Sequence, residues 1–249
     1  MATTILDEPQ IEVRKREKLA VIDCDIHNVD GYQSAATEVW RAYMPVEWRD
    51  YHYKFSGRRR AGSNTPRAVA YAARNDAFPP EGPPGSHLGF MQEQLLDTWD
   101  MEYGVLNPLS PAGGQQNLAY GAAIAQAVND WQIAEWLEKD SRLRASLTVA
   151  YEDADLAVAE IKRVGDHPGF VQLMFMARTM EPLGRRKYWK IYEAAVEYNL
   201  PIGIHFGGVG IGPITGAGKP AHYIQDHGGM PMAFQAQMTS FVYEGVFEQ

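Results

Sequence analysis

From Leu19 onward, short apolar segments alternate with longer stretches in which apolar residues recur at helical spacing. That alternation predicts strands joined by crossover helices, and hence a parallel sheet or barrel. Strands are expected over residues 19–25, 105–107, 145–150, 170–175 and 202–205. Ser86 is placed to cap a helix that presents Met91, Leu95 and Leu96 on one face, with Gly104 as its stop. Residues 118–139 carry Ile124, Val128, Ile133 and Leu137 in helical register, and Trp131 and Trp136 among them read as packing residues. A helix over 153–164 starts with Asp153 and Asp155, which suit the positive end of the helix dipole. Further helices are expected over 188–198 and 232–247, the last with Phe234, Met238, Phe241 and Val242 as an apolar stripe.

The segment from about residue 28 to 85 interrupts this rhythm. It holds Pro45, Pro66, Pro79-Pro80 and Pro83-Pro84, with Tyr51, Tyr53 and Phe55 among charged residues. Such an insertion is too long for a mere connector and predicts a lid or a subunit contact. Residues 1–18 are polar and read as a tail without the apolar core of a signal peptide, so the domain is expected over 19–249. No apolar run reaches the ~20 residues of a membrane span.

Composition narrows the function classes. With 249 residues, 45% of them hydrophobic, the chain can fill one sizeable core. A formal net charge of -8 supplies no overall positive field for nucleic acid or anionic lipid. The basic run Arg58-Arg59-Arg60, flanked by Gly57 and Gly62, reads as a solvated loop. Cys24 is the single cysteine, so no intrachain disulfide can form and a reducing compartment, the cytoplasm, is expected.

The candidate chemistry sits at two strand ends. Asp25 and His27 are one residue apart, so in a regular strand they share a face while Cys24 and Ile26 take the other. His205 closes the fifth apolar segment, where Gly207 and Gly208 allow a sharp turn. Both tips fall at the carboxyl ends of expected parallel strands, where barrel enzymes build their sites, and together they sketch one divalent metal site. Two histidines and a carboxylate are also the ligand set of non-haem iron oxygenases, but the long alanine-bearing helices argue against that β-rich scaffold. The glycine-rich stretch 207–218 fails as a nucleotide motif, because Pro213 stands where either fingerprint needs glycine and Pro220 where a phosphate loop needs Ser or Thr.

The segments Val21-Ile-Asp-Cys-Asp25-Ile-His27 and Pro201-Ile-Gly-Ile-His205-Phe-Gly-Gly208 resemble the amidohydrolase-related branch of the amidohydrolase superfamily, the branch of aminocarboxymuconate-semialdehyde decarboxylase and other nonoxidative decarboxylases. Asn129-Asp-Trp131, Arg142-Leu-Arg144, Gly216-Ala-Gly-Lys-Pro220 and Phe234-Gln-Ala-Gln237 extend the likeness. The resemblance implies an α/β fold, a distorted (β/α)8 TIM-like barrel present here in incomplete form, as about its first five βα units. It implies Asp25, His27 and His205 as metal ligands, with Asp25 in a place more often held by histidine. The fourth strand offers Gln172 and Met174 and no lysine to bridge two metals, so one divalent ion, zinc or manganese, is expected.

The activity implied is hydrolysis of a small carbonyl- or carboxylate-bearing substrate by metal-activated water, with nonoxidative decarboxylation on the same scaffold as the alternative. The acidic Asp25 leans toward decarboxylation. The family's sixth-strand histidine or acid and eighth-strand aspartate, its proton handler, would lie beyond residue 249, so an inactive fragment or partner subunit is a third expectation. Within the chain, His227 is a candidate catalytic group and Arg178 a candidate for binding a substrate carboxylate. A homo-oligomer or a complementing chain is expected.

Overall fold

Five strands are built where the short apolar segments stand: β1 (Ile22–Ile26), β2 (Tyr103–Leu106), β3 (Leu143–Thr148), β4 (Phe170–Arg178) and β5 (Ile202–Gly208). In the computed structural model they pair in parallel and in chain order, β1-β2-β3-β4-β5. The structure describes residues 19–28, 39–55, 73–208, 218 and 220–249. Parallel neighbours require crossovers, and helices supply them. α1 (Val46–Phe55) and α2 (Leu88–Met91) precede β2, α3 (Leu118–Gln132) precedes β3, α4 (Ala154–Val164) precedes β4, α5 (Trp189–Glu197) precedes β5, and α6 (Tyr223–Tyr243) follows. The result is an incomplete (β/α)8 barrel with five strands in its arc.

Alternation along the strands divides the sheet into two faces. Leu143, Ala145 and Leu147 of β3 and Leu173 and Phe175 of β4 are buried toward the helices. Phe175 stacks on Tyr151 at 5.2 Å and meets Tyr188 and Tyr192 at ring angles of 84° and 51°. Each such side chain removed from water stabilises the fold by roughly 1.5–3 kcal/mol, so this outer layer holds the arc together. The inner face carries Ser146 and Gln172, which are paired across β3 and β4, and Met174, paired with Gly203 of β5.

α3 is buried on nearly every side because it lies between two layers. Asn129 ties it to the sheet: its Nδ2 donates to Thr148 O and Glu160 Oε1, and its Oδ1 accepts from Thr148 N. On the outside, residues 39–55 of the proline-rich insertion pack against α3. Trp40 and Met44 are buried there, and Trp48 and Tyr51 close on the ring of Tyr120 at 5.7 and 4.9 Å. The part of the insertion that is described is therefore anchored to the body. The tail 1–18, Arg58–Arg60 and most of the stretch 207–218 lie outside the described residues.

Several element ends differ from the sequence expectation. His87, not Ser86, caps α2, its Nδ1 accepting from Phe90 N, while Ser86 Oγ donates to Pro83 O. The helix widens into a π turn over Gln92–Asp97 and ends near Asp100, whose φ of 44° is left-handed. Gly104 is not its stop but lies within β2, where a Cβ would come 2.6 Å from Ile26 Cδ1. α3 likewise widens over Ile133–Leu137, with Trp131 and Trp136 buried edge to face.

α6 starts at Tyr223, nine residues before the expected 232, and passes through Pro231. Met238 and Val242 are exposed, so only Phe234 and Phe241 of the expected stripe face inward. The helix docks instead through Gln237, whose Nε2 donates to Ala177 O and whose Oε1 accepts from Leu183 N, with Phe241 one turn on. Among the described residues no helix is long and apolar enough to cross a membrane.

Candidate metal centre

β1 reaches its tip through a bulge. Ile22 pairs with Tyr103 and Ile26 with Leu106, so β1 spends one more residue than β2 over the same span. The Asp25 N–H turns to Asp23 Oδ1 at 2.9 Å. Such an insertion breaks the two-residue alternation and re-aims side chains beside functional sites. Cys24 accordingly lines the same cavity as Asp25, although regular alternation places it on the opposite face; its thiol is free and exposed.

Asp25, His27 and His205 meet beside that cavity, which Asp25 and His205 line. One ligand atom from each falls within 4.8 Å of the others. Asp25 Oδ1 is 3.7 Å from His27 Nε2 and 3.4 Å from His205 Nε2, and the two imidazoles sit edge to face with centroids 4.8 Å apart. Each ring has its other nitrogen occupied. His27 Nδ1 is 2.9 Å from Asn107 O, and His205 Nδ1 is 2.7 Å from Phe206 O.

A carbonyl oxygen only accepts, so both Nδ1 atoms carry a proton, and in the neutral ring each Nε2 is left as an acceptor facing Asp25. Two lone pairs and a carboxylate converging without a donor between them repel one another. A cation at their centre removes that conflict, and imidazole with carboxylate is a donor set that divalent zinc and manganese accept. The residues present therefore fit one divalent ion. The histidine Nδ1–H to carbonyl bonds are the usual way a protein orients metal-binding imidazoles.

The cavity behind the three side chains has a volume of about 420 Å³ and is walled by Asn107, Gln172, Met174, Gly203 and Phe234 among others. Asn107 escaped the sequence reading. Its signal was a polar residue at the inward position after the second apolar segment, and it now touches both β1 residues of the triad: Nδ2 donates to Asp25 Oδ1 at 2.8 Å, and its carbonyl receives His27. Arg178 is the last residue of β4, half-buried, and is not among the residues lining the cavity. His227 is not in a loop but on α6, exposed, with its ring 4.2 Å from that of Tyr223. Near the top of β3, Glu152 accepts from Lys187 Nζ at 2.6 Å and from Tyr188 O–H at 3.1 Å, and burial together with that carboxylate pushes the Tyr188 hydroxyl up from its ordinary pKa.

Comparison with known proteins agrees with this fold. A putative amidohydrolase from Staphylococcus aureus superposes with a TM-score of 0.59 at 16% identity, over 92% of this chain and 64% of that one. A 2,6-dihydroxybenzoate decarboxylase with bound 2,6-dihydroxybenzoate gives 0.60 at 12%, over 93% and 64%. A manganese-bound 5-carboxyvanillate decarboxylase from Novosphingobium aromaticivorans gives 0.51 at 19%, over 75% and 50%. The chain thus spans between half and two thirds of the length of these proteins. No curated protein sequence matches it significantly. The profile of the Amidohydrolase family matches residues 22–249, nearly the whole described domain, and the chain belongs to that family.

Proposed function

We propose that Asp25, His27 and His205 hold one divalent cation and that the site serves nonoxidative decarboxylation of a small, carboxylate-bearing substrate. The observation that carries the metal reading is the convergence of three ligand atoms, with His27 Nε2 and His205 Nε2 facing Asp25 Oδ1 from 3.7 and 3.4 Å. One feature supports a single cation and a second the choice of reaction. β4 turns Gln172 and Met174 to the cavity where a bridging lysine would be needed for a second metal. Two of the similar folds are decarboxylases of hydroxybenzoate-type acids, one with manganese bound.

When bound, the cation would supply Lewis-acid chemistry to a substrate carboxylate or neighbouring oxygen. The chain's own residues orient and enclose. His27 and His205 are locked in one tautomer by backbone carbonyls, Asp25 is held by Asn107, and Met174 and Phe234 give the cavity an apolar wall for a ring. In the reaction the bond from ring carbon to carboxylate breaks, carbon dioxide leaves, and a proton takes its place on carbon. Asp25 is the only carboxylate among the described residues lining the cavity, and as a ligand it is committed. The proton therefore comes from solvent or from residues outside this wall.

Metal content after equilibrium dialysis against Mn(II) or Zn(II) tests the site. About one equivalent is expected in the parent protein and a small fraction of that in His205→Ala. Equal retention by the two proteins removes His205 from the ligand set and overturns the metal reading. Carbon dioxide release from a panel of hydroxybenzoates, run beside ester and amide hydrolysis, tests the chemistry; hydrolysis without carbon dioxide release refutes decarboxylation.

A further inference from the structure

Four neighbouring strands each contribute one polar group at the same level of the cavity wall, and their hydrogen bonds all run one way. Gln172 Nε2 of β4 donates to Ser146 Oγ of β3 at 2.7 Å. Ser146 Oγ in turn donates to Asn107 Oδ1, just past β2, at 2.6 Å. Asn107 Nδ2 donates to Asp25 Oδ1 of β1 at 2.8 Å and to Cys24 O at 2.9 Å. The direction follows from the donor inventory: an ionised carboxylate only accepts, which turns the Asn107 amide nitrogen toward it and leaves the amide oxygen for the one proton of Ser146. β5 takes part by yielding space, since a Cβ on Gly203 would come within 2.9 Å of the Gln172 amide.

Asn107 and Ser146 are 4% and 0% exposed, so water does not stand in for these bonds. Burying two polar side chains and part of a third in a barrel wall costs desolvation that apolar residues of similar size avoid. The outer hydrophobic layer already holds β1 to β4 together, so the fold alone does not account for this polar row. Its terminus does: the row ends on the carboxylate that faces the two imidazoles, with Asn107 Nδ2 shared between Asp25 Oδ1 and Cys24 O.

We propose that Gln172, Ser146 and Asn107 form a positioning relay that fixes Asp25 Oδ1 as a metal ligand. This rests on the metal reading above. By occupying one lone pair of Oδ1, Asn107 sets the carboxylate plane and leaves the other lone pair for a cation shared with Nε2 of His27 and His205. The relay acts through Asp25, while the Asn107 backbone, which holds His27 through its carbonyl and Ile26 through its N–H, survives any change of its side chain.

The test is Zn(II) affinity, measured by competition with a fluorescent chelator, in the parent, Asn107→Ala, Asp25→Ala and the double variant. Asn107→Ala is expected to weaken affinity about 10- to 100-fold, as loss of a group supporting a ligand does. In the Asp25→Ala background the same change is expected to alter affinity less than about twofold, because the carboxylate it positions is gone. Equal affinity in parent and Asn107→Ala overturns the relay, and so does an equal loss in both backgrounds, which marks general loosening. Ser146→Ala is the second arm should Asn107→Ala lose its far-ultraviolet dichroism, with an expected loss of about three- to tenfold through the same Asp25 dependence. A parent protein whose Zn(II) affinity is the same as that of His205→Ala overturns the metal centre itself, a result distinct from failure of the relay.

Discussion

Replacing Asp140 with Asn should expose how much one buried carboxylate contributes to holding the sheet's turns. Asp140 lies between the π turn after α3 and the start of β3, with its side chain 7% exposed. Its two oxygens accept from Arg142 Nε at 3.0 Å, Arg142 Nη2 at 2.7 Å, the Arg142 backbone N–H at 2.9 Å and Gln92 Nε2 at 2.9 Å. Arg142 foremost, against the opposing effect of burial, holds the carboxyl down from its ordinary 3.8 to about 2. At 1.36 kcal/mol per pH unit, that difference is worth about 2 kcal/mol of folding free energy.

The sign is fixed by the depressed value. The contribution is fully present above about pH 4, where the unfolded carboxyl is ionised, and is lost as pH falls through about 2. Urea unfolding followed by circular dichroism at pH 7, 4.5, 3 and 2 measures it. Parent and Asp140→Asn should differ by about 2 kcal/mol at pH 7 and 4.5, a gap that closes toward pH 2. At pH 7 the variant should melt roughly 4–8 °C lower. A gap that stays constant down to pH 2, or a variant as stable as the parent at pH 7, refutes the electrostatic account of this clamp.

Two further outcomes concern buried contacts with different physics. Asn129→Leu removes the amide that joins α3 to Thr148 and Glu160; Glu160 keeps Arg163, but the buried Thr148 N–H and C=O lose this partner, which should cost about 2–4 kcal/mol in denaturant melts; a change under about 0.5 kcal/mol contradicts it. Gly113→Ala would set a Cβ 2.0 Å from Tyr151 Cε1, in a ring 3% exposed and stacked on Phe175, so a loss of about 1–3 kcal/mol with altered near-ultraviolet dichroism is expected, and an unchanged melting curve and spectrum would show that the ring yields freely.

The strands and crossover helices were legible because burial on one face leaves a period in the sequence, and β3, β4 and α4 came within three residues of their expected ends. Asp153, expected to suit the helix dipole, also caps α4 by accepting from Leu156 N. What failed was local chemistry that competes with such patterns. His87 outcompetes Ser86 as a cap because Ser86 spends its hydroxyl on Pro83 O. α6 docks by the hydrogen bonds of Gln237, which an apolar-stripe reading cannot see. Asp25, His27 and His205 were visible as strand-end residues, but Asn107 and Ser146 were not, because a relay across four strands depends on register, and a single sequence carries no register. The β1 bulge, which brings Cys24 to the cavity, is invisible for the same reason.

Register alone still does not bring the triad together. Neighbouring strands lie about 4.8 Å apart, so in a flat sheet β1 and β5, four spacings distant, would be separated by about 19 Å. Asp25 Oδ1 and His205 Nε2 are 3.4 Å apart, which only a strongly curled sheet with both side chains reaching inward permits. Curl of that degree needs a narrow inner face and a wide outer one. The side chains are distributed that way: Ser146 and Gly203 inside, Leu147, Phe175 and the rings of Tyr188 and Tyr192 outside. A bulky residue at Gly203 would press on Gln172 and flatten the arc, so β5 would carry His205 away from Asp25 even with every ligand intact. If Asp25, His27 and His205 hold a cation as proposed, its affinity is in that sense a property of sheet curvature, with the three side chains reporting whether the arc is closed far enough.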